Sequence, residues 1–444
     1  MTAPPEIDTE TSDEIDTETL DETETETDTE TADETALSLT SDRISDPATY
    51  APLRERAPLV RVLLPGVRTP VWLITRYALA KQALADPRFI RDGTALHDPG
   101  DPEGPSIADQ MIEAYGLPAE YRAYLDSMVL SDGAEHARTR TVVTRAFTVR
   151  RIAALRHRVE RTADDLVAAL CKKGGADLAK ELCHPLAGTA LCELMGVDPD
   201  DQAQLSAWMR DYSSGVPEAF VPALEGIVGY AKGLIVRRRE RPGEDLVSEL
   251  IRTERLAGLP LSETEMISVF LLLVSTGILH TTHFICESVL ALLDHPDQIA
   301  TLRARPQLLA SRALSELLRF TSPVQMGASL YATEDLELGG VTVRRGEAVT
   351  APLLGVNRDA REFPEGPDRL DLTRQPGRGV GHMAFGHGPH YCVGAALARL
   401  QAEVVLDRLF LRHSGPRLAV ARDELTYLSL PGDGIHAVAL PVRL

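Results

Sequence analysis

Cysteine is scarce in this chain and odd in number: Cys171, Cys183, Cys192, Cys286 and Cys392 are the five among 444 residues. That excludes a fully paired disulfide framework and suits reduced thiols, most of them set in apolar, helix-like stretches. Basic residues are absent from the first forty positions, which hold fifteen Asp and Glu, so the remainder carries only −5 of the net charge of −20. A segment of Thr, Glu and Asp has too little to bury, so residues 1–45 are expected to form a disordered acidic tail. It has neither the basic flank nor the apolar centre of a secretion signal. Long hydrophobic runs are missing too. Met266 to Leu279 is the longest, and it is too short and interrupted to span a bilayer. With no basic field to draw nucleic acid and no membrane segment, the expectation is a monomeric, cytoplasmic protein. Its hydrophobic fraction of 44% is ordinary for a globular fold, and residues 46–444 are expected to make one large domain.

What is present is concentrated near the C-terminal end. From His382 to Glu403 the chain reads His-Met-Ala-Phe-Gly-His-Gly-Pro-His-Tyr-Cys-Val-Gly-Ala-Ala-Leu-Ala-Arg-Leu-Gln-Ala-Glu. Glycines and a proline force tight turns before Cys392, and after Gly394 Ala, Leu and Arg recur at helical spacing. Cys392 thus stands at a helix mouth, where free N–H groups and the dipole favour a thiolate. A thiolate in a Gly-rich loop is what an axial ligand to heme iron requires. Two other readings stand beside it: His382, His387, His390 and Cys392 as zinc ligands, or Cys392 as a buried, inert thiol.

Further upstream, Pro58 to Thr75 alternates about a Pro-Gly turn and predicts a β-hairpin. Tyr77–Leu84 predicts a helix, and 93–118 an irregular connection rich in Gly, Pro and Asp. His136 and Arg140 are four apart and share a helix face. Helical patterns run over Ile152–Cys171 and Leu182–Met195, then break at Ser213-Ser-Gly-Val-Pro217. Ser262-Glu-Thr-Glu265 is a capping box opening a pattern of roughly 30 residues, apolar on nearly all sides, as a helix crossing a core must be. Glu316 and Arg319 share another helix face. Leu336 to Thr350 predicts a small sheet, and the chain from Thr426 a closing hairpin about Gly432-Asp-Gly434.

Phe385-x-x-Gly388-x-x-x-Cys392-x-Gly394 matches the heme-binding loop of the cytochrome P450 family. The resemblance extends over about 46–444 through Glu316-Leu-Leu-Arg319, Ser322-Pro-Val, Ala332-Thr-Glu-Asp, Asn357-Arg-Asp and Phe363-Pro-Glu-Gly-Pro-Asp-Arg369. It implies a mainly α fold with a minor β region, one heme b lying between a long distal helix and a proximal cysteine-loop helix, and Cys392 as the metal ligand. It places Phe385, Gly386 and Gly394 in the cofactor loop and has His136, Arg140 and His390 hydrogen-bond the heme propionates. Glu316, Arg319 and Arg369 would form a buried bracing network. The 93–118 segment would roof the substrate pocket, with the break at 213–217 as a lid; Phe220 and Trp208 are candidate lining residues, though buried aromatics are more often plain core. An Arg commonly found before Ala-Thr-Glu-Asp is Leu330 here, so one propionate contact is missing or supplied from elsewhere.

A second departure lies in the long helix. Most members carry Ala-Gly-x-Asp/Glu-Thr there to relay protons during oxygen activation. Counting back from His295-Pro-Asp puts Thr276-Gly-Ile-Leu-His280 in that slot; counting from Leu271-Leu-Leu-Val gives Ser275-Thr-Gly-Ile-Leu279. Both registers lack the carboxylate. Gly277, His280 and Thr281 are the candidate catalytic positions, with His280 read as a distal acid–base, an iron ligand or a core residue. The resemblance implies an oxidoreductase of monooxygenase type acting on a small, mostly apolar metabolite of specialised metabolism. Electrons would come from a ferredoxin and ferredoxin reductase, with peroxide as the substitute, and acidic ferredoxins would dock near Arg138, Arg145, Arg150 and Arg151. Coupling or rearrangement chemistry, or a non-catalytic heme protein that docks a partner, are the alternatives.

Overall fold

The element that carries the architecture is the helix Glu263–Asp294, 32 residues long. Ser262 caps it: its hydroxyl accepts from the Glu265 N–H at 3.2 Å, and the Glu265 carboxylate accepts from the Ser262 N–H at 2.6 Å, closing the box its sequence predicts. Met266–Leu271 and Phe284–Cys286 are buried all round. Helices His184–Met195, Gln202–Ser213, Pro217–Glu240, Leu314–Thr321 and Ala395–Leu406 pack against it. By length and composition Pro217–Glu240 and Glu263–Asp294 would each suit a membrane, but the apolar window of the latter is 72% buried within the fold, as a core helix must be.

The computed structural model describes residues 36–444 except 68, 97–105, 214–215, 254–259, 376–380 and 431–433. Ala36–Leu444 form one compact unit. On one side lies a six-stranded sheet of β1 Leu37–Ser38, β2 Leu59–Leu63, β3 Val71–Ile74, β4 Phe89–Ile90, β5 Leu330–Ala332 and β6 Ala348–Thr350, in the order β1-β2-β3-β6-β5-β4. The predicted hairpin is β2–β3, antiparallel, with Leu59 opposite Ile74. Leu336–Leu338 and Val341–Val343 pair as a small hairpin, and Tyr427–Leu430 pairs with Gly434–Ala437 near the end of the chain; 431–433, where the turn was expected, lie outside the described residues. The result is the expected mainly α fold with a minor β region.

Two expectations are corrected. The acidic tail does not extend to 45. β1 pairs in parallel with β2, Ser41–Ser45 is helical, and Leu39 and Ile44 are buried at 2% and 8% exposure. Leu39 and Ile44, with Leu37 beside them, join one apolar cluster with Val60, Val62 and Val71 of the hairpin. Residues 1–35, the rest of that segment, lie outside the described residues. The 93–118 connection is not irregular throughout either. Ile107–Tyr115 is a helix, capped by reciprocal Ser106–Asp109 bonds and stopped by Gly116 at φ +61°, a conformation that glycine adopts without strain.

Candidate active site

The cysteine loop is built by backbone turns. Gly386 and Gly388 have φ of +72° and +73°. A Cβ on Gly388 would stand 2.3 Å from the Leu84 carbonyl oxygen, so only glycine fits there. The Cys392 N–H donates to the Phe385 carbonyl at 2.9 Å, and Gly394 is the N-cap of Ala395–Leu406. Arg399 on that helix lies 5.4 Å from the centroid of the Phe385 ring. Cys392 is accessible to solvent although protein rings it. Burial pushes its thiol up, while the N–H groups of Gly394 and Ala395 and the Arg140 cation pull it down. The net direction is upward, and coordination to a metal, which deprotonates a thiol outright, would reverse it.

The helix Gly133–Ala146 presents His136 and Arg140 to this loop. His136 is buried and its ring stacks on His390, with centroids 3.9 Å apart and 26° between planes. Arg140 donates to the Tyr391 carbonyl. Burial and neighbouring cations hold both histidines below the usual range, His390 at about 3. Arg138 turns away, donating to the Pro260 carbonyl at 2.7 Å and pairing with Glu265. His382 meets Arg399 at 2.7 Å, and His387 lies near Lys81. The histidines therefore point to separate partners, and among the described residues no three His, Cys, Asp or Glu converge on a metal. The zinc reading fails on geometry.

Opposite in role is the middle of the long helix. Leu272, Ser275, Thr276, Leu279 and His280 are all half-exposed, at i, i+3, i+4, i+7 and i+8, so they form one open stripe on an otherwise buried rod. The Ser275 and Thr276 hydroxyls both donate back to the Leu272 carbonyl, at 3.0 and 2.8 Å. The His280 ring lies edge-on to His283 with centroids 6.5 Å apart. Thr281 is not on the stripe: it is buried, half a turn round. Gly277 is half-exposed too but lies off the stripe, on the side where a Cβ would meet the Leu191 side chain at 3.2 Å. Of the three distal candidates only His280 reaches the stripe.

The bracing network is present with one member exchanged. Glu316 and Arg319 form a bidentate pair at 2.8 Å for both bonds, with side chains 3% and 2% exposed. The second guanidinium on Glu316 belongs to Arg374, 3.1 Å from each carboxylate oxygen. The Arg369 side chain is instead 68% exposed and paired with Asp371 at 3.0 Å. Its carbonyl is what joins the network, accepting from Arg319 at 3.0 Å and Arg374 at 3.2 Å. The exchange follows from the turn at Asp371, whose carboxylate accepts from the Thr373 N–H at 3.0 Å and folds Arg374 back over Glu316.

On the lid side, Phe220 is sandwiched between Tyr115 and Tyr212, with centroids 4.0 and 4.7 Å away. Trp208 is flattened on Gly226, where a Cβ would approach its ring to 2.4 Å, and packs half-buried against the core. Of the predicted break at 213–217, residues 214–215 lie outside the described ones.

An accessible thiol at a helix start, stacked histidines and an arginine beside it, a buried Arg91 Nε without an acceptor, and a half-open stripe on the central helix fit a heme held through sulfur. The site is that of a heme-thiolate protein. The family model for cytochrome P450 matches residues 283–414. The vitamin D(3) 25-hydroxylase of Pseudonocardia autotrophica is 38% identical over 85% of this chain and 89% of its own. The 6-deoxyerythronolide B hydroxylase of Saccharopolyspora erythraea is 35% identical over 89% and 95%. Among solved structures, that of the ligand-free P450 monooxygenase TamI superposes with a TM-score of 0.80 at 32% identity, covering 93% of this chain and 94% of that one. The chain belongs to the cytochrome P450 family. Its cofactor is heme b, and it is a monooxygenase-type oxidoreductase.

Proposed function

We propose that this P450 oxidises a small, mostly apolar metabolite in specialised metabolism, with His280 handling the proton that an acid–alcohol pair handles in most of the family. The substrate class is supported by relatives named as hydroxylases of 6-deoxyerythronolide B and of vitamin D(3), and by the aromatic sandwich of Tyr115, Phe220 and Tyr212. Cys392 would ligate the iron, with His136, Arg140 and His390 near the propionates. Heme held this way supplies the oxidising chemistry.

One observation carries the distal part: of residues 275–281 only His280 bears a titratable group, and it lies on the half-open stripe. Neutral imidazole accepts a proton at one nitrogen and donates at the other, so one ring both takes and returns it. The Ser275 and Thr276 hydroxyls are directed to the Leu272 carbonyl. Electrons would arrive from a ferredoxin and its reductase, with the exposed Arg145 and Arg150 offering a docking face for an acidic carrier, or peroxide would replace both.

The test is His280→Phe, which keeps bulk and removes both nitrogens. Turnover with the reductase system and with peroxide should each fall by roughly 10²–10⁴, while the resting heme spectrum stays as in the parent. A shift of that spectrum away from low-spin nitrogen ligation would make His280 an iron ligand instead. Unchanged turnover and spectrum would reduce it to core.

A further inference from the structure

The arginine that the family resemblance leads one to expect at 330 is Leu330, an apolar side chain 6% exposed in β5. The neighbouring strand compensates. β4 pairs antiparallel with β5 in the register Phe89 opposite Ala332 and Ile90 opposite Tyr331. Carried one residue further, that register sets Arg91 against Leu330, and cross-strand neighbours share a face of the sheet.

Arg91 is also held in place by its backbone. Its N–H donates to Asp132 Oδ2 at 2.7 Å, and the Asp92 N–H donates to the same oxygen at 3.0 Å. Asp132 is the residue before the helix that carries His136 and Arg140, so this clamp ties the end of β4 to the heme-side helix. Gly93 then lies flat on the Tyr331 ring, where a Cβ would come within 2.9 Å. The residue is half-buried with its Nε shut off from water, and Arg91 heads the charges that act on His390. Its Nε finds no acceptor among the described residues. Asp132 is the carboxylate whose charge acts on it, but its Oδ2 already serves two N–H groups, and among the described residues no ion pair holds the guanidinium. A donor shut off from water in that condition is costly unless an anion meets it.

We propose that Arg91 binds a heme propionate in place of the arginine lost at 330: the cation has moved from one strand to its neighbour while the charge facing the cofactor is kept. This rests on the heme-thiolate reading. Two propionates then face two permanent guanidiniums, Arg91 and Arg140, with His136 and His390 stacked between the segments that bear them.

Holoprotein variants test it through heme loss to excess apomyoglobin, with melting temperature measured in parallel. Arg91→Gln should release heme tenfold faster or more, Arg91→Lys only a few-fold faster, and the exchange Arg91→Leu with Leu330→Arg should return the rate to near that of the parent. In all three the reduced carbon-monoxide adduct should keep the thiolate-type Soret band. A band absent from the parent would overturn the thiolate reading itself. With the band present, heme loss from Arg91→Gln at the parent rate, or equal loss from Gln and Lys variants, overturns the role of Arg91. So does an exchange variant that melts like the parent and still loses heme as fast as Arg91→Gln.

Discussion

Replacing Glu316 by Ala tests how the proximal side is braced. The carboxylate is 3% exposed and receives two hydrogen bonds from Arg319 at 2.8 Å, a bifurcated one from the Arg374 Nε–H at 3.1 Å to each oxygen, and one from the Asp371 N–H at 3.0 Å. Without it, Arg319 keeps the carbonyls of Asn357, Pro367 and Arg369 at 2.9, 2.7 and 3.0 Å, so its donors are partly satisfied but its charge is not. Removing one partner of a buried pair costs about 3–5 kcal/mol, a large share of the roughly 5–15 kcal/mol by which folded domains are stable. At about 2 °C per kcal/mol for a large domain, the melting temperature should fall by roughly 6–10 °C.

The identity of the third member can be separated in the same experiment. Arg374→Ala should cost about 2–3 kcal/mol, since it removes charge-assisted bonds in a buried setting. Arg369→Ala should cost less than about 1 kcal/mol, because that side chain is mostly in water and its ion pair is screened. Urea unfolding with the slope held constant gives both numbers. If Arg369→Ala proved the more damaging of the two, the arrangement around Glu316 would be wrong. If Glu316→Ala unfolded at the parent midpoint, its burial would be wrong.

Two further outcomes follow from other parts of the fold. Leu39→Ala should destabilise by about 2–5 kcal/mol as a core truncation; a change below about 0.5 kcal/mol in urea unfolding would return residues 36–45 to a tail. Burial, with Arg399 and Arg319 nearby, holds His382 down to about 3, against an ordinary value of about 6.5. A histidine with a depressed folded pKa stays neutral while its unfolded counterpart takes up a proton. Its stabilising effect is therefore full above about pH 6.5 and is lost as pH falls toward about 3. His382→Gln should flatten stability against pH in that window by up to one proton, ~1.4 kcal/mol per unit; parallel curves for parent and variant would contradict it.

What could be read from the sequence divides by range. The cap at Ser262, the hairpin 58–75 and the helix of His136 and Arg140 are written in residues within a few positions of one another, and each lies where its spacing predicts. The misses all turn on partners brought from elsewhere or on signals diluted by their surroundings. Leu37, Leu39 and Ile44 vanish in the acidic composition of 1–45, yet an edge strand needs only β2 beside it. The Ser106-x-x-Asp109 cap was there to be read, but the Gly and Pro before it set the tone of the segment. Arg369 and Arg374 flank the same Asp371, and spacing from Glu316 cannot choose between them; the Asp371–Thr373 turn does, by reversing the chain. Counting along the long helix cannot separate His280 from Thr281, because a step of one residue turns a side chain by about 100°, and here it takes Thr281 into the core. Arg91 is the extreme case. Nothing around it in sequence marks it as functional, and its relation to Leu330, 239 positions away in the chain, exists only through the register of two short strands. A lost cation at a buried anion site is thus better sought across the sheet than along the chain, because the requirement is for charge at a place, and neighbouring strands can supply that place equally well.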